Sequence, residues 1–221
     1  MKNTLIWGTL FFVVFLTSDI KSQNAEYIWA PALTYSWDHT DLISFSAKTE
    51  IFTSLDNLDN ANIIRHAEAS LFGAYKLKKG NKFGMGYLYR QSGPFTDNPR
   101  HENRITEQLD LKSPVFGRSG SHRIRLEQRI RTQGFANRAR YRLSIKFPHK
   151  KEDGNYFKIS DEILLSLSEG ETSGENRALV GYGFGLNDDS DLEFAVQYRA
   201  ADFFEGNGLS HLILFSTSLS L

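Results

Sequence analysis

The sequence predicts an all-β fold: an antiparallel, up-and-down transmembrane β-barrel of ten to twelve strands. Three observations predict it. Arginines recur on nearly every second residue in R-I-R-L-E-Q-R-I-R (123–131) and R-A-R-Y-R-L (138–143), with Ile124, Leu126, Ile130, Ala139, Tyr141 and Leu143 in the gaps. A period of two puts the charge on one face of a strand and the apolar side chains on the other. The chain also opens on an export signal, and past that signal no segment is apolar enough to span a membrane as a helix. Together these turn the polar face into a lumen and the apolar face toward lipid.

The export signal is read over residues 1–22. Lys2 supplies the positive start, Leu5 to Leu16 is an uncharged apolar run, and the small residue Ser22 precedes Gln23 as the first mature residue. A run of about a dozen residues falls short of the roughly 20 that a spanning helix needs. The expected organisation is therefore a signal peptide at 1–22 and a single β-barrel domain at 23–221. The expected location is the outer membrane of a Gram-negative cell. The chain has no cysteine, which excludes a disulfide framework, a thiolate metal site and a lipidated N-terminal cysteine. Lysines plus arginines equal aspartates plus glutamates at 26 each, so net charge gives no reason to expect nucleic acid as a partner.

The strands are bounded by clusters of Gly, Asn, Asp and Pro, which favour turns. Short connections are read at 38–41, 78–82, 113–121, 148–155 and 187–190. Longer ones are read at 53–62, 92–100, 132–137, 169–175 and 200–207. Between them Ile43, Phe45, Ala47, Thr49 and Ile51 oppose Ser44, Ser46, Lys48 and Glu50. Phe83, Met85, Tyr87 and Tyr89 oppose Lys82, Gly84, Gly86 and Arg90. Leu192, Phe194, Val196 and Tyr198 oppose Glu193, Ala195, Gln197 and Arg199. The last strand sets Ile213, Phe215, Leu219 and Leu221 against Ser216, Ser218 and Ser220, and resembles the C-terminal signal of outer-membrane barrels, except that it ends in leucine rather than an aromatic residue. Tyr87, Tyr89, Tyr182 and Tyr198 suit an interfacial girdle.

Ten strands follow Leu42, and short and long connections alternate among them without a fault. The segment 26–37 is left over. Bacterial barrels usually have an even strand number. The segment is therefore read as a lumenal or rim element, or else as the sign of a miscounted hairpin. Pro31 within it favours an edge or irregular element.

The arginine strands set expectations about register. A regular connection at 132–137 places Arg131 opposite Arg138, Arg129 opposite Arg140 and Glu127 opposite Arg142. A regular turn at 113–120 places Glu102 near Arg131 and Asp110 near Arg123. Glu162 can reach Arg142 if the intervening connection is odd or bulged. The expected lumen lining is Glu102, Arg104, Asp110, Arg123, Arg125, Glu127, Arg129, Arg131, Arg138, Arg140, Arg142, Glu162, Arg177, Glu193 and Arg199. Like charges directly opposite destabilise a strand pair, so these groups need partners from other strands. Two readings are open. One is an ion-pair network that fills a narrow barrel and fixes its register. The other is a passage or site for an acidic ligand, since arginine forks suit carboxylate and phosphate.

Several of these segments carry a family resemblance. Trp29, the Gly-Tyr-rich strand at 84–90, E-N-R-I-T-E-Q-L at 102–109 and R-I-R-L-E-Q-R at 123–129 come first. R-A-R-Y-R-L at 138–143, D-E-I at 161–163, N-R-A-L-V-G-Y-G at 176–183 and a terminal strand beginning at His211 complete the series. In order and spacing they resemble the bacterial family known as domain of unknown function 2490. The resemblance covers nearly the whole mature chain. It implies an exported, outer-membrane barrel-like protein and no known reaction, so it assigns no functional residue.

No catalytic motif stands out. The sequence has no G-x-S-x-G, no H-E-x-x-H and no phosphate-binding loop, and its G-x-G tracts lie inside strands, where they read as small-residue packing. Ser210 and His211 are neighbours on one strand and point to opposite faces, so they form no dyad without a bulge. An outer-membrane lipid-modifying enzyme depending on His211 remains the catalytic alternative. A soluble periplasmic, lipocalin-like barrel with an apolar lumen is the ligand-binding one. No catalytic residue, metal site or cofactor is expected. The expected partners are outer-membrane lipid, the barrel-assembly machinery and a small anionic solute.

Overall fold

The computed structural model describes residues 25–56, 63–132, 134–149, 154–168, 170–204 and 209–221. The signal-peptide segment lies outside them, as do parts of the connections expected at 53–62, 132–137, 148–155, 169–175 and 200–207. The described residues form eleven strands: β1 (Glu26–Asp38), β2 (Ile43–Ser54), β3 (Ile64–Lys76), β4 (Lys82–Ser92), β5 (Arg100–Val115), β6 (Arg118–Arg131), β7 (Gly134–Pro148), β8 (Tyr156–Ser168), β9 (Glu171–Gly185), β10 (Asp191–Ala201) and β11 (Ser210–Ser220). Each pairs with its neighbours in the chain, and β1 pairs with β11 to close the barrel. The all-β barrel is the fold that the alternation predicts.

The segment left over in the strand count is itself a barrel strand. β1 closes against β11 in parallel, with Glu26 facing Leu212 and Thr34 facing Ser220. An up-and-down meander with an odd number of strands must close on one parallel pair, because its first and last strands run the same way. The last residue of the sequence belongs to this seam: the Leu221 N–H donates to the Thr34 carbonyl at 2.9 Å, and its carbonyl accepts from the Ser36 N–H at 2.8 Å. Pro31 does not expel β1 from the sheet. The β1–β2 ladder lapses at Ala30 and Pro31 and resumes in the same register, from Trp29 opposite Thr53 to Ala32 opposite Glu50.

Besides the β5–β6 turn, where only residues 116 and 117 separate the strands, two connections are tighter than expected. β6 and β7 are separated only by residues 132 and 133, and β8 and β9 only by 169 and 170. Gly134 at φ 126° and Gly170 at φ 91° supply the left-handed backbone that turns of this length need. The first shortening moves the β6–β7 register: Arg131 faces Gly134, Arg129 faces Ala136 and Glu127 faces Arg138, rather than Arg138, Arg140 and Arg142. The other register expectations hold. Glu102 faces Arg131, Asp110 faces Arg123 and Arg142 faces Glu162, the last across a seven-residue, odd connection.

The strand slip fixes the width of the barrel. Asp38 leads by successive cross-strand partners through Ser44, Ala74, Gly84, Gln108, Arg125, Arg140, Leu164, Glu175 and Ala201 to Ser210. Ser210 lies two residues before Leu212, which faces Glu26, so one circuit slips the register by about 14 residues. For eleven strands this shear tilts them roughly 40° from the axis and sets the backbone roughly 11 Å from it. Such a barrel is wider than an eight-stranded one, which side chains alone can fill.

The two faces differ in kind. Outward side chains include Leu33, Leu71, Met85, Ile105, Ile124, Leu126, Leu165, Val180 and Phe194, and Leu126 and Val180 are 46% and 52% exposed. Aromatic residues gather toward the strand ends: Tyr35, Trp37, Phe83, Phe157 and Phe184 near one rim, Tyr27, Trp29, Tyr89 and Phe135 toward the other. Most of the buried side chains that face the axis on β5–β8 are polar: Glu102, Arg104, Gln108, Glu127, Arg129, Arg140 and Glu162. One apolar cluster interrupts this lumen, where Ile28, Ala30, Phe52 and Leu214 pack together on β1, β2 and β11. The glycine-rich strands make room for inward aromatics: a Cβ at Gly84 or Gly86 would strike the Phe72 ring, and one at Gly183 would strike Tyr156.

Candidate functional site

The candidate site is the lumen itself. Alternation brings all fifteen residues singled out from the sequence to its inner face, at even positions on β5 and odd positions on β6, for instance. Eleven residues there form one connected ion-pair network running from β5 to β9. Its cations are Arg104, Arg125, Arg129, Arg138, Arg140, Arg142 and Arg177; its anions are Glu102, Glu127, Glu162 and Glu175.

Glu127 is the hub. It is 1% exposed, and four arginines surround it: Arg140 at 2.7 Å, Arg125 at 3.6 Å, Arg104 at 3.7 Å and Arg138 at 4.0 Å. Glu162 holds Arg140 at 2.7 Å, Arg142 at 3.0 Å and Arg177 at 3.8 Å. Glu102 takes a two-pronged contact from Arg129, at 2.8 and 2.7 Å, and also accepts from Arg104. Forked pairing of this kind is the strong form of the interaction.

Seven arginines share four carboxylates, so the network keeps three uncompensated positive charges. The ladder does not spread them apart. Arg104 faces Arg129, Arg123 faces Arg142, Arg125 faces Arg140 and Arg177 faces Arg199. Like charges directly opposite oppose strand pairing, and buried unpaired charge is costly.

Other predicted residues stand apart from the network. Arg123 pairs with Asp110 at 2.8 Å, and Glu193 with Lys158. Arg199 donates to the neutral Gln197 at 2.6 Å. Arg131 faces Glu102 in the ladder, but Arg104 and Arg129 occupy that carboxylate, and the Arg131 Nε is buried with no hydrogen-bond partner.

Inside this ring of charge lies a cavity of about 450 Å³. Nine arginines and two lysines line it, against only Glu50, Glu68 and Glu193. The reason is side-chain length. Glutamate is shorter than arginine, so Glu102, Glu127 and Glu162 stay near the wall while the guanidinium groups reach past them toward the axis. The opposite wall, on β1, β2, β3 and β11, adds the small hydroxyl residues Thr34, Ser46, Ser70, Ser216 and Ser218 beside Lys48, Glu50, Glu68 and the apolar Phe52, Phe72 and Leu214.

A family model described as a protein of unknown function (DUF2490) matches residues 32–209. The chain belongs to the DUF2490 family. No curated protein matches the sequence. Among solved structures, the siderophore receptor PirA from Pseudomonas aeruginosa is similar at 13% identity and a TM-score of 0.34, over 80% of this chain and 34% of the other. The chain thus spans about a third of that receptor's length.

This DUF2490 lumen also holds residues that the sequence reading did not single out. Glu68 forms an ion pair with Arg90, Glu175 with Arg177 at 2.6 Å, and Lys48 with Glu50 at 2.7 Å. Strand parity already placed Lys48, Glu50 and Arg90 on the polar face; pairing partners were the missing information. Gln108 and Gln197 were less visible because a neutral amide does not announce itself in a charge pattern, yet each accepts from an arginine. His211 points outward, 2.6 Å from the Tyr198 hydroxyl through its Nδ1. Two further outward pairs repeat the motif, Tyr89 with His101 and Tyr141 with His122. The described residues contain no cluster of metal-ligating side chains.

Proposed function

We propose that this DUF2490 protein is an exported outer-membrane β-barrel whose lumen receives small anionic solutes. The observation that carries this reading is the cavity wall, where eleven cationic side chains face three carboxylates. The outer face supports the membrane location. Strands of 11 to 16 residues, tilted roughly 40°, cover roughly 28–40 Å along the axis, enough for a hydrocarbon core. Apolar side chains cover that face, with aromatic residues toward both rims. A lipocalin-like barrel would carry its apolar face inward instead.

The lumen acts through its field. Guanidinium groups held in a narrow, partly desolvated space attract anions and repel cations. Arginine's planar fork matches oxyanions, so carboxylates and phosphates are favoured over spherical ions. Outer-membrane lipid and the barrel-assembly machinery are the partners this location requires.

Two measurements test the reading. The expressed protein is expected to fractionate with the outer membrane and to change its gel migration on boiling. In planar bilayers the folded protein is expected to pass current with a reversal potential that favours anions, and Arg199→Gln is expected to reduce that preference. Recovery in the soluble periplasm would overturn the location. A folded barrel that carries no current would overturn passage.

A further inference from the structure

The lumen's surplus charge is gathered at a few particular guanidinium groups, two within the network and one beside it. Arg125, Arg138 and Arg199 come from β6, β7 and β10, and all three face the cavity. Each makes its hydrogen bonds to a neutral side chain. Arg125 donates through Nε to the Gln108 amide oxygen at 2.8 Å, Arg138 to the Ser166 hydroxyl at 2.9 Å, and Arg199 to the Gln197 amide oxygen at 2.6 Å. The Glu127 carboxylate stands 3.6 Å from Arg125 and 4.0 Å from Arg138, but its direct hydrogen bond goes to Arg140. The terminal nitrogens of Arg138 and Arg199 make no hydrogen bond among the described residues.

This arrangement differs from a self-contained salt-bridge lattice. A lattice that served only to fill the barrel would approach charge balance, because each uncompensated interior charge works against folding. Here seven arginines share four glutamates, and Arg199 adds an eighth cation whose hydrogen bond goes to an amide and which forms no direct ion pair among the described residues. The cavity's volume of about 450 Å³ lies within the range of small-molecule sites. Across it, the Thr34, Ser46 and Ser216 hydroxyls offer neutral donors and acceptors.

We propose that Arg125, Arg138 and Arg199 form a binding site for a small polyanion, a solute with two or more carboxylate or phosphate groups. The inference rests on reading the cavity as the place that a solute occupies, and it names the solute's class. Three guanidinium groups on three strands suit separate anionic groups of one molecule. A single halide neutralises one of them and leaves the others unpaired. The bound polyanion also ties β6 and β7 to β10 across the lumen, so binding stabilises the closed barrel.

The test uses the mature chain folded in detergent, where passage across a membrane plays no part. Calorimetric titration with citrate, pyrophosphate and acetate at matched ionic strength separates the classes. Citrate or pyrophosphate is expected to bind saturably, at least tenfold tighter than acetate, and to raise the thermal midpoint. Tighter citrate identifies a carboxylate site and tighter pyrophosphate a phosphate site. The double substitution Arg125→Gln with Arg199→Gln is expected to weaken that binding at least tenfold while the barrel keeps its heat-modifiable migration. If the double variant does not fold, Arg199→Gln alone is expected to weaken binding by a smaller factor. Arg65→Gln, which removes an ion pair to Glu26 outside the cavity, is the control and is expected to bind as the parent does. No saturable binding of either polyanion by the folded parent, or binding unchanged in the folded variants, would overturn the site. Binding without bilayer current would keep the site and remove passage; current without binding would do the reverse.

Discussion

Arg125 and Arg140 stand directly opposite each other across the β6–β7 ladder, two cations at neighbouring positions on the lumen wall. The Glu127 carboxylate contacts both, at 3.6 and 2.7 Å through the same oxygen. Two residues further along β6 than Arg125, it screens a repulsion that the register would otherwise leave bare. The arrangement makes one glutamate responsible for four guanidinium groups.

Glu127→Gln therefore carries a large expected effect. The amide keeps the shape and an acceptor for Arg140 but removes the charge that four arginines share. Removing one partner of a buried ion pair costs about 3 kcal/mol or more. The urea midpoint of the folded barrel is expected to fall accordingly. An unchanged midpoint would mean that the lumen is solvated enough to screen the arginines without Glu127.

Glu107 tests the opposite face. It lies midway along β5, between Met85 and Leu126 in the ladder, and alternation turns it outward. It has no ion pair or hydrogen bond among the described residues. A carboxylate facing lipid is unfavourable, though less so than a lysine or arginine at that depth. Glu107→Leu is expected to stabilise the barrel in lipid by about 1 kcal/mol, read from its unfolding midpoint in vesicles. A loss of stability would place that face in water or against a polar partner.

The parallel seam makes a covalent prediction. Ala32 on β1 and Ser218 on β11 are direct ladder partners. The chain has no cysteine of its own, so the double substitution Ala32→Cys with Ser218→Cys introduces the only thiol pair. Oxidation is expected to give an intramolecular cross-link that shifts gel migration, because direct ladder partners lie within disulfide reach. A barrel that closes through β2 and leaves β1 at the rim or within the lumen would not cross-link.

The alternation was fully legible in the sequence, and with it the face of every strand named from it. So was part of the register. The turn at Phe116 and Gly117 has both residues at positive φ, 51° and 72°, the form of a tight two-residue hairpin, and it gives the predicted facing of Asp110 and Arg123. The β6–β7 register was not legible. Phe135, Ala136 and Asn137 read as loop, but Gly134 turns the chain so early that they become the start of β7. The eleventh strand was hidden for another reason. Parallel closure leaves no mark on the periodicity of β1, and Pro31 argues locally against a strand. The charge surplus was hidden as well: equal totals of acidic and basic residues conceal a lumen in which seven arginines share four glutamates.

The orientation of the wall underlies every statement about the lumen, and the tryptophans report it most directly. Beyond the segment read as a signal, the chain has Trp29 and Trp37, both outward on β1 and 44% and 37% exposed. Tryptophan fluorescence in vesicles of brominated lipid measures their contact with acyl chains. The account predicts strong quenching by the brominated chains and little by aqueous acrylamide. Efficient acrylamide quenching with no effect of the brominated lipid would contradict it, because the apolar face would then meet water and the arginines would have no claim to the interior of a membrane barrel.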